Sequence, residues 1–376
     1  MEYHRLGDYI REVNVRNRDL KVTNLLGLSV SKEFMPSIAN TIGTDMSAYK
    51  IVERDQFVYI ADTSRRGDKI AIALLSDYDN AIVSQAYTVF EITDHNALLP
   101  EYLMMWFRRP EFDRYARFHS HGSAREVFDW DELCDVTLPI PTIDRQREIV
   151  AEYETLSNRI RLNEQMIEKL EATAQALYRK MFVDGVDREN LPEGWRRGKL
   201  GDYVELSQGI QVEVEDQSLI KYEGYNRFIR IIDYTPNSTE PPRYVNIANK
   251  RYFSTRDDVV VIRYGDAGTI CRRLEGIIAN NLFKVTPVKI ITRNYVYHFL
   301  KSDPIQKLIK NSAASSTMPA ITHTAIKDLE CLIPSASSMK EFDNNIDIIE
   351  KEICLKSDEN SKLTELQSLL LARMGK

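Results

Sequence analysis

Leu6-Gly7-Asp8-Tyr9 returns as Leu200-Gly201-Asp202-Tyr203, and Leu138-Pro139-Ile140-Pro141 returns in shortened form as Leu332-Ile333-Pro334. The first pair is offset by 194 residues and the second, proline to proline, by 193. Both prolines open a long helical stretch with one apolar rhythm. After Pro141, Tyr153, Leu156, Ile160, Ile167, Leu170, Ala174, Leu177 and Met181 alternate steps of three and four, with Asn163 in the remaining slot. That spacing is a heptad seam, narrower than the stripe of an ordinary surface helix. The register returns at Phe342, Ile346, Ile349, Ile353, Lys356, Asn360, Leu363, Gln367, Leu370 and Met374, more polar in its middle. Two similar halves on one chain predict an internal pseudo-two-fold relation.

Each helix, with one face apolar, needs a partner. The other helix of the same chain, packed antiparallel, is the cheapest; a second chain in a dimeric coiled coil is the alternative. Asn163, Lys356 and Asn360 are costly in a dry seam, which suits residues that fix register. Thr142 and Ser335 follow the prolines as candidate caps, and Ser338-x-x-Glu341 offers the second helix a later start.

A mixed segment precedes each helix. Strand-like runs are Gln56-Phe57-Val58-Tyr59-Ile60, Ala81-Ile82-Val83 and Tyr87-Thr88-Val89-Phe90, then Val259-Val260-Val261-Ile262, Gly276-Ile277-Ile278-Ala279 and Phe283-Lys284-Val285. A short helix is expected at 100–107 and again at 294–300, with Tyr102 matching Tyr295 and Trp106 matching Phe299. The stretches 22–46 and 211–245 show little likeness. One framework carrying two different inserts is what two different recognition surfaces require.

Composition bounds the function. At 376 residues the chain exceeds one core and suits two domains. Its longest apolar run, 70–75, is far short of the ~20 residues a membrane helix needs. Met1-Glu2-Tyr3-His4 lacks a basic-then-apolar pattern, so no signal peptide is expected. Cys134, Cys271, Cys331 and Cys354 are scattered, so neither a zinc site nor a disulfide framework is expected, and a cytoplasmic location fits. A net charge of −6 opposes coating nucleic acid unaided, leaving room for basic patches or a partner that supplies positive charge.

The order of lobe, helix, lobe, helix resembles the specificity subunit of type I restriction-modification systems. Leu191-Pro192-Glu193-Gly194-Trp195, leading into Lys199-Leu200-Gly201-Asp202, is similar to the opening of that family's target recognition domains. Leu138-Pro139-Ile140-Pro141 with Gln146-x-x-Ile149, and Ile333-Pro334 with Met339-x-x-Phe342, resemble its Pro-x-x-x-Glu-Gln-x-x-Ile helix start. Arg145 and Ser338 replace the glutamate, and the first lobe lacks the Pro-Glu-Gly-Trp opening.

The resemblance implies an α+β chain. It has a target recognition domain at 1–140, a coiled-coil helix at 141–183, a linker at 184–196, a second recognition domain at 197–333 and a second helix at 334–376. It also implies a non-catalytic reader of double-stranded DNA. Each lobe reads one half of a bipartite site, and the antiparallel helices set the spacer. Two methyltransferase subunits dock on the helices and bind S-adenosylmethionine, this chain holding no cofactor; restriction and translocation subunits can join.

An enzyme reading finds little support. The nearest string to an adenine-methyltransferase (Asp/Asn)-Pro-Pro-(Tyr/Phe) segment is Glu240-Pro241-Pro242-Arg243, which lacks the aromatic that holds a flipped base. Gly194-Trp195-Arg196-Arg197-Gly198-Lys199-Leu200 is one residue short of a phosphate loop and ends in Leu. No Glu-x-Lys nuclease motif occurs. His119-x-His121 has metal-ligand spacing but no nearby Cys, so a hydrogen-bonding loop is expected. Asp257-Asp258 reads as a turn.

DNA is read by polar and basic side chains at loop tips. In the first lobe these are Arg65, Arg66 and Lys69 between strand-like runs, Gln85, and His119, Ser120, His121, Ser123 and Arg125. In the second they are Asn226, Arg227 and Arg230, then Arg263 and Tyr264, then Asn311, Ser315 and Ser316. Two other readings remain: an adaptor that pairs helices without DNA, and a dimeric regulator of a palindrome, against which the divergent inserts argue.

Overall fold

The computed structural model describes residues 2–37, 43–63, 69–122, 126–235, 238, 240–313 and 320–375. The chain divides into two compact units, 1–162 with 359–376, and 163–358. Each unit therefore holds one lobe and part of each long helix.

The first lobe begins with β1 (Tyr3–Arg5) and β2 (Ile10–Val13), then β3 (Leu26–Leu28), β4 (Phe34–Pro36), β5 (Lys50–Glu53), β6 (Phe57–Tyr59), β7 (Ile72–Leu74), β8 (Asn80–Val83) and β9 (Thr88–Ile92). Three helices follow: α1 (Pro100–Phe107), α2 (Pro110–Phe118) and α3 (Trp130–Cys134), then β10 (Thr137–Pro139) and α4 (Ile143–Phe182). Proline sits in the first turn of α1 and of α2, where its missing N–H costs nothing. Asp129 caps α3 by accepting from Glu132 N at 3.0 Å.

The second lobe comprises β11 (Arg196–Lys199), β12 (Val204–Gln208), β13 (Asn226–Ile229), β14 (Arg243–Val245), β15 (Phe253–Ser254), β16 (Val259–Ile262), β17 (Ile270–Cys271), β18 (Gly276–Ile278) and β19 (Leu282–Pro287). It ends with α5 (Arg293–Lys301), α6 (Asp303–Ala313), α7 (His323–Lys327), β20 (Glu330–Ile333) and α8 (Ala336–Arg373). Ser335 caps α8, its Oγ accepting from Ser338 N at 3.3 Å, so the helix starts at the earlier of the two candidate sites.

The sequence repeat has a physical cause. A Cβ on Gly7 would lie 2.8 Å from the Cβ of Cys134, and one on Gly201 would lie 2.8 Å from the Cβ of Lys327. Only glycine admits these close approaches. Leu6 N donates to Val136 O and Leu200 N to Leu329 O, both at 2.8 Å. Tyr102 Oη donates to Pro139 O at 3.0 Å, and Tyr295 Oη likewise to Leu332 O. β1 pairs with β10, and β11 with β20, both antiparallel.

Each lobe carries one antiparallel four-stranded sheet of matching order, β2-β9-β6-β7 in the first and β12-β19-β16-β17 in the second. The inserts differ. In the first lobe they give the ribbons β3·β4 and β5·β8; in the second they give β14-β13-β18-β15, with β13 and β18 parallel.

The long helices are built into the cores rather than appended to them. Val150 and Tyr153 of α4 and Leu371 and Met374 of α8 pack into the first core, around Phe57, Phe90 and Phe107. Ala174, Tyr178 and Phe182 of α4 and Met339, Phe342 and Ile346 of α8 pack into the second. Within the first unit the helices run antiparallel: Gln367 Nε2 donates to Ser157 Oγ at 2.7 Å, and Asn360 Nδ2 to Ile160 O at 3.4 Å. Within the second, Tyr178 faces Phe342 at 6.1 Å, while Glu171 and Glu350 share Arg273.

Of the seam residues, Tyr153, Asn163, Ile346 and Ile353 are buried. Leu156, Ile160, Ile167, Leu170, Leu177, Ile349, Lys356, Asn360, Leu363 and Leu370 are partly buried. Gln146 is fully buried at the start of α4. Its Oε1 accepts from Leu99 N at 2.9 Å, and its Nε2 donates to Ala97 O and Pro141 O, each at 2.8 Å.

Candidate nucleic-acid interface

In the first lobe two loops meet: the one joining β6 to β7, and the one following α2. Thr63 N donates to Glu126 O at 3.0 Å, and Thr63 Oγ1 lies 3.0 Å from Ser120 Oγ. Asp62 and His121 each bridge to Val127, and Phe128 N donates to Ala61 O at 2.9 Å. Beside this junction Glu132 Oε2 lies 2.9 Å from His119 Nδ1, and its Oε1 lies 3.4 Å from His121 Nε2. His121 is largely exposed beside this carboxylate. Among the described residues no group of three or more His, Cys, Asp or Glu is arranged to hold a metal ion.

The second lobe repeats the construction. The β16–β17 loop meets the segment before α7 where Ile321 N donates to Arg263 O at 3.0 Å and Tyr264 bridges to Ala320. The Arg263 guanidinium lies over the Tyr264 ring at 4.9 Å. Gly268, at φ +93°, lets this loop close on α6: a Cβ there would lie 2.3 Å from Ile309 Cγ2. Asn311 is exposed near the end of α6. The two junctions share a framework and differ in the side chains they present.

These junctions bring together His119, Ser120 and His121 in one lobe, and Arg263 and Tyr264 in the other; Lys69 is partly buried near Lys32, and Asn311 stays on the exposed face of α6. Arg65, Arg66, Ser123, Arg125, Ser315 and Ser316 lie outside the described residues. Gln85 is exposed on the β8–β9 turn, apart from the junction's hydrogen bonds. Asn226 pairs within the β13·β14 ladder. Arg227 and Arg230 both engage Asp233, at 2.9 Å and 3.1 Å, so their charge is largely met inside the lobe. Asp258 is likewise buried and structural, 3.1 Å from Arg293 Nε.

Lys32 escapes a sequence reading. It sits at φ +65° in the β3–β4 turn, only 5% exposed, with Nζ 2.5 Å from Asp113 Oδ1 of α2. Burial pushes its ammonium pKa down, and Asp113 counters this. The ion pair fastens the first lobe's insert to the helix that ends at the junction. Asp113 stands 81 positions away, so no local pattern announced it.

Comparison with known proteins agrees with this architecture. Residues 192–356 match the family model described as type I restriction modification DNA specificity domain. The chain is 22% identical to the type I restriction enzyme HindI specificity subunit of Haemophilus influenzae, over 90% of this chain and 89% of that one. It is 20% identical to the MjaIX specificity subunit of Methanocaldococcus jannaschii, over 75% and 70%. The S subunit of a type I restriction-modification system from M. genitalium shares the fold, with a TM-score of 0.57, 14% identity, and coverage of 100% of this chain and 96% of that one.

Proposed function

We propose that the chain is a specificity subunit of the type I restriction-modification kind, and that it addresses such a complex to DNA without catalysing methylation or cleavage itself. Each lobe reads one half of a bipartite duplex site. The observation that carries this is the repeated loop junction, one framework presenting His119, Ser120 and His121 in one lobe and Arg263 and Tyr264 in the other.

The helices set the spacer between the half-sites. A helix of 40 residues is about 60 Å long, and its rigidity supports a ruler role. Two methyltransferase subunits, carrying S-adenosylmethionine, dock on the helices. In support, Leu162 of the first unit and Leu355 of the second are exposed equivalents 193 residues apart, one apolar foothold per half. Restriction and translocation subunits can join this assembly. Among the described residues no helix is long and apolar enough to cross a membrane, and we place the complex in the cytoplasm with its DNA.

A lobe exchange tests the reading. Replacing residues 1–140 by the equivalent lobe of a relative is expected to change one half of the methylated motif only. A change in both halves, or in neither, overturns independent reading.

A further inference from the structure

Phe118 ends α2 and is 80% exposed, the most exposed large apolar side chain described. A phenyl ring has no donor or acceptor for a base edge; it offers apolar surface and a π face. This ring has an aromatic neighbour. It meets His119 edge-on at 5.2 Å, His119 stacks on Tyr115 at 4.2 Å, and Tyr115 abuts the buried Phe128 at 6.2 Å. Glu132 holds His119 in place. The result is a column of rings rooted in the core and ending in a bare apolar tip, one residue from the loop that carries Ser120 and His121.

We propose that Phe118 is a wedge that the first lobe inserts at a base step of the duplex, next to the base pairs its loops read. The assignment rests on the DNA-reading function proposed above. An apolar side chain between base steps must withstand the unstacking it causes, and a ring column anchored in a core supplies that stiffness. Neighbouring charge permits the approach, since Glu126 is paired with Arg117 at the same helix end. The second lobe shows the contrast. Val214, Leu219, Ile220 and Tyr222 are also exposed, but they stand among Glu213, Glu215, Asp216 and Glu223, whose charge repels phosphate.

The test uses the chain assembled with its methyltransferase subunits and a duplex bearing the bipartite motif found by methylation sequencing. 2-Aminopurine replaces each base in turn across and beside both half-sites. The wild-type complex is expected to raise fluorescence at one step by the first half-site. F118A should lose that signal and bind about tenfold more weakly, F118W should keep both, and signals at the second half-site should not change. F118A behaving as wild type in binding and fluorescence overturns the wedge. F118A shedding a methyltransferase subunit, by light scattering, also overturns it and makes Phe118 a protein contact. A wild-type complex that ignores the duplex removes the DNA-reading assignment, and the wedge with it.

Discussion

His298 of α5 lies between Tyr178 and Phe342 in the second unit, its Nδ1 3.0 Å from Gln175 Oε1 and its Nε2 buried without a partner among the described residues. Burial, reinforced by Arg272, Lys301 and Arg273, pushes its pKa down from 6.5 to about 3. The folded imidazole therefore stays neutral where the unfolded one takes up a proton. Its contribution to stability is complete above about pH 6.5 and falls as pH drops toward 3, by up to about 1.4 kcal/mol per unit within that window. Urea unfolding of the second unit should lose about 1 kcal/mol between pH 7.5 and 5.5, a loss largely absent in His298→Gln. Equal pH dependence in both proteins would contradict this. Residue chemistry was only partly legible beforehand. Gln146 was visible as a motif letter, but its three hydrogen bonds reach Leu99, Ala97 and Pro141 across the fold. Arg227 and Arg230 are basic candidates by sequence, yet both turn to Asp233, which stands within six residues of each.

At the scale of elements, the long helices were legible because a heptad seam is local in sequence and runs for many turns. The inserts were not, because their strands are mostly three or four residues long and their partners are distant. The parallel pairing of β13 with β18, for instance, joins Phe228 to Ile277. Unforeseen too was the ionic clasp of the second unit. Arg273, at φ +75°, donates to Glu350 of α8 at 2.9 Å and 3.0 Å and also to Glu171 of α4. Lys301 joins Glu171 at 3.2 Å, and the Arg272 guanidinium lies 4.6 Å over the Tyr297 ring. Burial opposes the charge on Glu171, but Lys301 and Arg273 outweigh it and lower its pKa. The first unit's counterpart, Arg159 with Glu359, is largely solvated and worth little. Arg273→Met should destabilise the second unit by about 2–4 kcal/mol, since it strips one partner from the buried Glu350 and one from the partly buried Glu171. Unchanged urea midpoints would show that the clasp is dispensable.

At the scale of the molecule, two lobes of common plan carry different loops and inserts, and the recurring residues are those that hold the plan. Gly7 and Gly201 recur because helices press on them; Tyr102 and Tyr295 recur because each ties its lobe to the strand before a long helix. What differs lies at the loops and inserts, where the proposed reading surfaces stand. The bases read were therefore not legible, since they depend on side chains meeting DNA rather than on the framework. The central claim is that this chain supplies address and its companions supply chemistry. Single-molecule sequencing of host DNA, with and without the gene, tests it most directly. The account predicts a bipartite, asymmetric methylated-adenine motif that vanishes when the gene is deleted. A motif that persists without the gene, or one contiguous palindrome in its place, would contradict it.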